Sequence, residues 1–196
     1  MGAARNARPW PSIDAALAPW PEARRRAARA VLEVALADYP ERGGPAWSLS
    51  KLGRRGFPVE MTFKDGGGDL RYTVEVDRPD RPAATRIARA LDVAAAAAVG
   101  EPDWPRGVVD QLAAFHARSG DELAYGAWLG VRHRAGRTGA GGGPGLKLYA
   151  ELPTAAAAWV RTVEERWGFR TWSGARPVLL GVEAGRLELY YQAGAP

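Results

Sequence analysis

The sequence predicts an α+β fold: repeated ααββ units whose hairpins form an antiparallel β-sheet or partial β-barrel, with a polar interior surrounded by helices. Three observations predict it. Three pairs of alternating apolar and polar runs each flank a turn or a glycine-rich connection, which is the mark of a β-hairpin. Segments with helical periodicity precede each pair. The second strand of each pair places its charged and tyrosine side chains on one face and its apolar side chains on the other.

The elements follow in order. Residues 1–11, with Gly2, Pro9 and Pro11, are expected to form a loose arm. Ser12 and Asp14 are placed to cap a first helix that carries Leu17, Val31, Leu32, Val34 and Leu36 and runs to about Asp38. Pro19 and Pro21 split it near the front, and the proline–glycine cluster at 40–45 ends it. Residues 57–63 and 70–76 alternate around a glycine turn at 65–68, giving a hairpin with Pro58 at its start. Residues 82–99 read as an alanine-rich helix with Ile87 and Leu91. Residues 104–118 read as another, with Asp103 as cap and Pro105 in its first turn. A second hairpin, 123–133 and 146–152, is joined by a loop at 134–145 with six glycines, expected to be mobile. Thr154 is placed to cap a helix to about Trp167. The third hairpin, 177–183 and 186–192, turns at Ala184 and Gly185. The expectation is a single domain, 1–196, of three units at about 12–77, 82–152 and 153–193.

Composition narrows the function. The chain has 196 residues, 46% hydrophobic and 25% charged, as a folded domain requires. With no cysteine, disulfides, cysteine metal sites and thiol nucleophiles are excluded, and a reducing cytoplasmic location is expected. The first eleven residues have no apolar h-region, so no signal peptide is expected. The alanine run at 93–99 is too short to span a membrane. A net charge of +5 raises the question of nucleic acid. The basic residues are spread along the chain among acids, however, and only three of the 27 are lysine. An anionic small molecule is the expected partner, not nucleic acid or membrane. His116 and His133 lack metal-ligand spacing, no serine sits in a Gly-x-Ser-x-Gly elbow, and the glycine run lacks a phosphate-loop ending.

Strand alternation assigns the shared face. It collects Glu60 and Thr62; Arg71, Thr73 and Glu75; Trp128, Gly130 and Arg132; Lys147, Tyr149 and Glu151; and Arg186, Glu188, Tyr190 and Gln192. Two readings are open. The face is either the solvent side of an open sheet or the inside of a barrel lined for a ligand. The spacings Lys147-x-Tyr149 and Arg186-x-Glu188-x-Tyr190, and a lysine mid-strand in an arginine-rich chain, favour the second. Cations and tyrosine hydroxyls grip a diphosphate by charge-assisted hydrogen bonds, and tyrosine rings shield a carbocation.

These residues resemble a known family, the aromatic prenyltransferases of the ααββ barrel type, in the dimethylallyltryptophan synthase-like and peptide-modifying branches. The strand around Glu60 is similar to that family's first barrel strand, and the strand opening with Leu70 and Arg71 to its second. Lys147 and Tyr149 resemble its Lys-x-Tyr diphosphate pair, and Arg186, Glu188 and Tyr190 its Arg-x-Lys-x-Tyr motif. The resemblance covers about residues 55–192 and implies a transferase. A prenyl diphosphate co-substrate would sit on Arg71, Lys147, Tyr149, Arg186 and Tyr190. Glu60 would hold the N–H of an aromatic, indole-like or peptide acceptor, and neither a metal nor another cofactor would be required. Arg132 falls near a position where some members carry a proton-accepting lysine, but guanidinium stays protonated.

Two further departures stand out. Glu188 occupies a lysine position, and three hairpins stand where the family has five. The alternative is therefore a non-catalytic, shortened homologue acting as a binding or assembly module, in which Glu60 and Arg71 form a plain cross-strand ion pair. The open sheet edges imply either a homo-oligomer or edges covered by the terminal segments.

Overall fold

A computed structural model describes residues 9–39, 50–53, 56–62, 68–98, 102–135, 143–169 and 174–193. The arm at 1–8, the cluster at 40–45, most of the turn at 65–68 and the centre of the glycine-rich connection, 136–142, lie outside the described residues. The elements are α1 (Pro9–Leu17), α2 (Glu22–Ala35), β1 (Val59–Thr62), β2 (Leu70–Val74), α3 (Arg86–Ala97), α4 (Arg106–Ser119), β3 (Ala127–His133), β4 (Gly145–Glu151), α5 (Ala157–Trp167), β5 (Ala175–Glu183) and β6 (Arg186–Ala193). Helix pairs precede the first two hairpins, and α5 alone precedes the third.

The strands form one antiparallel sheet of six, ordered as in the chain. Among the described residues β1 and β6 do not pair with each other, so the sheet is open and no barrel closes. One face is dry. Leu70, Tyr72 and Val74 of β2, Leu129 and Val131 of β3, Leu148 and Ala150 of β4, and Leu180 and Val182 of β5 are all buried there. They share a single core with Leu32 of α2, Ile87 and Val93 of α3, Leu112 of α4 and Val160 of α5. Each such aliphatic side chain contributes about 1.5–3 kcal/mol by leaving water. Two polar side chains on this face are satisfied internally. The Tyr191 hydroxyl donates to Glu164 of α5 at 2.7 Å, and His133 bonds the Tyr72 hydroxyl at 3.2 Å while stacking on its ring.

Several sequence expectations are corrected. Helix α1 begins at Pro9, so Ser12 and Asp14 lie inside it, and Asp14 pairs with Arg29. Its prolines sit in the first turn, where the missing N–H groups would have no intrahelical acceptor. Neither Asp103 nor Thr154 caps a helix; α4 follows Pro105 without a side-chain cap, and the Thr154 N–H donates to Glu122 at 3.0 Å.

Two acids assigned to the shared face by alternation are engaged elsewhere. β2 ends at Val74, and Glu75 is fully buried against Arg86 of α3 at 2.7 Å. Glu151, the last residue of β4, accepts the backbone N–H groups of Ala124, Tyr125 and Gly126 at 2.8–3.0 Å. Those bonds draw residues 124–126 away from the ladder, so β3 starts at Ala127 rather than at Leu123.

His133 gives the fold a pH signature. Burial, with Arg24 nearby, lowers its pKa to about 4. Below the ordinary histidine value the unfolded chain takes up a proton that the folded chain refuses, so stability falls with pH through that window. Urea unfolding should show a loss of about 3 kcal/mol between pH 7 and pH 4 from this group. His133→Leu should lack that component of the slope; an unchanged slope in the variant would refute the assignment.

Candidate functional site

The other face of the sheet carries the polar residues, and period-two alternation fixes which ones. Across the strands the register aligns Glu60, Thr73, Gly130 and Lys147 in one row. Thr62, Arg71, Arg132 and Gly145 form the next row. Trp128, Tyr149, Gly181 and Glu188 form a third, on the other side of the first. A groove of about 360 Å³ lies over this face, lined among others by Arg71, Arg132, Lys147, Tyr149, Arg186 and Glu188. The structure thus brings six of the eight expected site residues to one groove. Tyr190 adjoins it through Lys147, and only Glu60 stands apart, exposed on β1.

Each cationic pair in the groove is bridged by a carboxylate. Arg71 and Arg132 are direct cross-strand partners, an arrangement of like charges that destabilises a sheet. Asp69, just before β2, resolves it. Its carboxylate accepts Arg71 at 3.2 Å and Arg132 Nε at 2.7 Å, and also the Ala135 N–H at 3.0 Å. These bonds, the Ala135 N–H foremost and Arg132 next, lower the Asp69 pKa to about 2. At the other end, Lys147 Nζ donates to Glu188 and, at 3.2 Å, to the Tyr190 hydroxyl. That hydroxyl donates to Glu188 at 2.7 Å, and Arg186 pairs with the other Glu188 oxygen at 2.9 Å. Burial pushes the Glu188 carboxyl up, but the bonds from Lys147 and Tyr190 outweigh it and hold the group below its ordinary range. Burial, then the bond to Glu188, pushes the Tyr190 phenol well up, so it stays a donor.

The lysine is also held by rings and by missing side chains. Lys147 Nζ lies 4.8 Å from the Tyr149 ring centre and 5.6 Å from that of Tyr190. The two rings meet edge to face at 6.0 Å. The Lys147 stem crosses Gly181, where a Cβ would stand 2.6 Å from Cε, and Tyr149 leans over Gly130, where a Cβ would meet its ring at 2.9 Å. Both glycines exist to let site side chains lie flat on the sheet.

Glu60 and Arg71 form no cross-strand pair: the register sets Glu60 opposite Thr73 and Arg71 opposite Thr62. Glu60 has no hydrogen-bond or ion-pair partner among the described residues. His133, beside Arg132, faces the helices, as alternation predicts. Sequence reasoning missed Asp69, whose partners other than Arg71 lie 63 and 66 residues away, and the clearance given by Gly181, whose signal was a glycine in mid-strand. It placed Trp128 on the shared face but gave it no role. This residue stacks on Tyr125 at 4.3 Å beside Tyr149, with its ring N–H buried and unpartnered among the described residues. Among the described residues no group of three or more His, Asp or Glu is placed to hold a metal ion, and no helix is long and apolar enough to cross a membrane.

The fold, helix–hairpin units on one antiparallel sheet with a dry and a polar face, is shared with known solved structures. Two solved structures it is similar to are of 5-dimethylallyl tryptophan synthase from Streptomyces coelicolor. The one in complex with DMASPP and Trp matches at a TM-score of 0.67 and 20% identity, over 95% of this chain and 54% of that one. The second matches at 0.62 and 20%, over 96% and 56%. The chain thus spans little more than half the length of these structures. No protein-family model matches the sequence, and no curated protein does.

The Asp69 clamp can be tested directly. In a carbon-detected NMR titration its carboxyl should titrate near pH 2, and in Arg132→Ala its midpoint should move back toward the ordinary aspartate range. An unchanged midpoint would show that Arg132 does not hold it.

Proposed function

We propose that the groove binds the diphosphate of a prenyl diphosphate, and that the protein transfers the prenyl group to an aromatic, indole-like or peptide acceptor. The observation that carries this reading is the convergence of Arg71, Arg132, Lys147, Arg186 and Tyr149 on one groove, on a fold shared with an enzyme solved with DMASPP and Trp. Arg71, Lys147 and Arg186 meet the phosphate oxygens, with the Tyr149 and Tyr190 hydroxyls as further donors. The allylic C–O bond breaks with both electrons leaving on the diphosphate. Fixed cations stabilise the charge that develops there without reorganisation. The faces of Tyr149 and Tyr190, already packed around a cation at Lys147, shield the allylic carbocation from water. An electron pair of the acceptor forms the new bond to the allylic carbon, and the proton displaced from the acceptor passes to the departing diphosphate, with Glu60 orienting the acceptor N–H. The donor is a co-substrate, and the reading assigns no role to a resident cofactor.

A second reading, a non-catalytic binding module, is favoured by one observation: Glu188 already occupies Lys147 and Arg186. Calorimetric titration with a non-hydrolysable prenyl diphosphate analogue should show binding by the wild type and at least roughly tenfold weaker binding by Lys147→Ala, the loss expected for a charge-assisted contact. Absence of wild-type binding would sink the transferase reading. Binding without turnover of any indole or peptide acceptor would leave the module.

A milder variant isolates geometry from charge. Gly181→Ala keeps every charge but pushes the flexible end of Lys147 aside. Its circular dichroism should be native and its analogue affinity reduced; full affinity would show that the lysine's position is unimportant.

A further inference from the structure

The polar face holds its cations in two different ways, and the difference has a functional consequence. Asp69 is bonded to a backbone N–H as well as to its arginines, so it is part of the scaffold. Among the described residues Glu188 is bonded only to side chains: Lys147, Arg186 and Tyr190. It sits on β6, which pairs on one side only among the described residues. Its carboxylate takes up an ammonium, a guanidinium and a phenol at once, the donor set that a phosphate group uses. Lys147 cannot follow it outward. The lysine side chain is 15% exposed, lies across Gly181 and is packed between two tyrosine rings. Arg186, 66% exposed, is free to turn toward either anion.

We propose that Glu188 is a resident counter-anion that occupies the phosphate position of the groove and must swing out before an anionic ligand binds, so that it sets which anions the site accepts. The inference rests on the groove being an anion site and adds the residue that governs its selectivity. A bound phosphate and a retained carboxylate on the same Lys147 would repel each other at contact distance. A monoanion such as acetate offers no more charge or acceptor capacity than Glu188 itself, so it gains nothing by replacing it. A diphosphate brings more charge and more oxygens, reaches Lys147 and the Arg71–Arg132 pair together, and displaces it. Glu188 therefore makes the groove selective for extended polyanions and keeps its lysine neutralised when none is present.

The test uses inorganic pyrophosphate and acetate, with neither prenyl chain nor acceptor. By calorimetry, Glu188→Gln should bind pyrophosphate at least about tenfold tighter than the wild type, because one unit of like charge near the ligand is gone. Acetate should compete with pyrophosphate on the variant but not on the wild type. The gain should vanish when Lys147→Ala is added, and Asp92→Asn, which removes an exposed acid on α3, should show none. If Glu188→Gln has a non-native circular dichroism spectrum, Glu188→Ala is read in its place. Binding by the folded variant that is no tighter than wild type overturns the proposal, and so does an equal gain in Asp92→Asn. Failure of the transferase reading is distinguishable: it shows as no wild-type binding of the prenyl analogue, whereas the pyrophosphate gain is read without it.

Discussion

An antiparallel sheet whose helices all share its apolar core can dry only one of its faces, and every feature of the groove follows from which side chains fall on the other. The period of two ties the faces together rigidly. Leu148, fully buried, obliges Lys147 and Tyr149 to point away from the core. Leu187, buried on β6, does the same for Arg186 and Glu188, and Tyr72 does it for Arg71 and Thr73. A slip of one residue in any ladder would bury a charge and expose a core side chain, at a cost of several kcal/mol. The site is therefore positioned by apolar packing on the opposite side of the sheet. Truncating Leu148 or Leu129 would act on the groove through register before it acted through chemistry.

Concentrating cations on one face creates a second requirement. Arg71 opposite Arg132 is unfavourable by itself, and Lys147 is too enclosed to rely on water alone. The fold answers both with carboxylates, and their attachments differ. Asp69, just before β2, is locked by the main-chain N–H of Ala135, just after β3, and bonds both arginines. Among the described residues Glu188 lies on an edge strand and is held by side chains alone. One acid is a strut and the other is exchangeable, although a net-charge count would treat them alike.

The hairpins, their order and the two faces were legible in the sequence because they depend on short-range alternation, which survives without knowledge of partners. Errors gathered where alternation stops. Glu75 and Glu151 were placed on the ligand face by extending the period past the ladder, but each sits at a strand end, where the backbone turns and a carboxylate serves as an anchor. Helix starts failed for a related reason: a Ser, Asp or Thr near a helix start signals a cap, yet Ser12 and Asp14 lie inside α1, and the starts near Asp103 and Thr154 follow prolines and use no side-chain cap. The resemblance to the ααββ prenyltransferases named residues of which the structure brings six to one groove, but it treated Glu188 only as a departure. Its role as partner to Lys147, Arg186 and Tyr190 depends on β4 and β6 flanking β5, a three-strand relation no local motif encodes.

The isolation of Glu60 follows from the same register. It shares a row with Thr73, Gly130 and Lys147, three strands away, and at the usual strand spacing of about 4.8 Å that places its backbone about 14 Å from the lysine's. The floor between them is a threonine and a glycine. The glycine is not open floor, because the Tyr149 ring lies over it. An aromatic ring therefore stands between the cationic end of the row and its acidic end, and a ligand running along the sheet from Lys147 toward Glu60 would pass over that ring rather than over bare backbone.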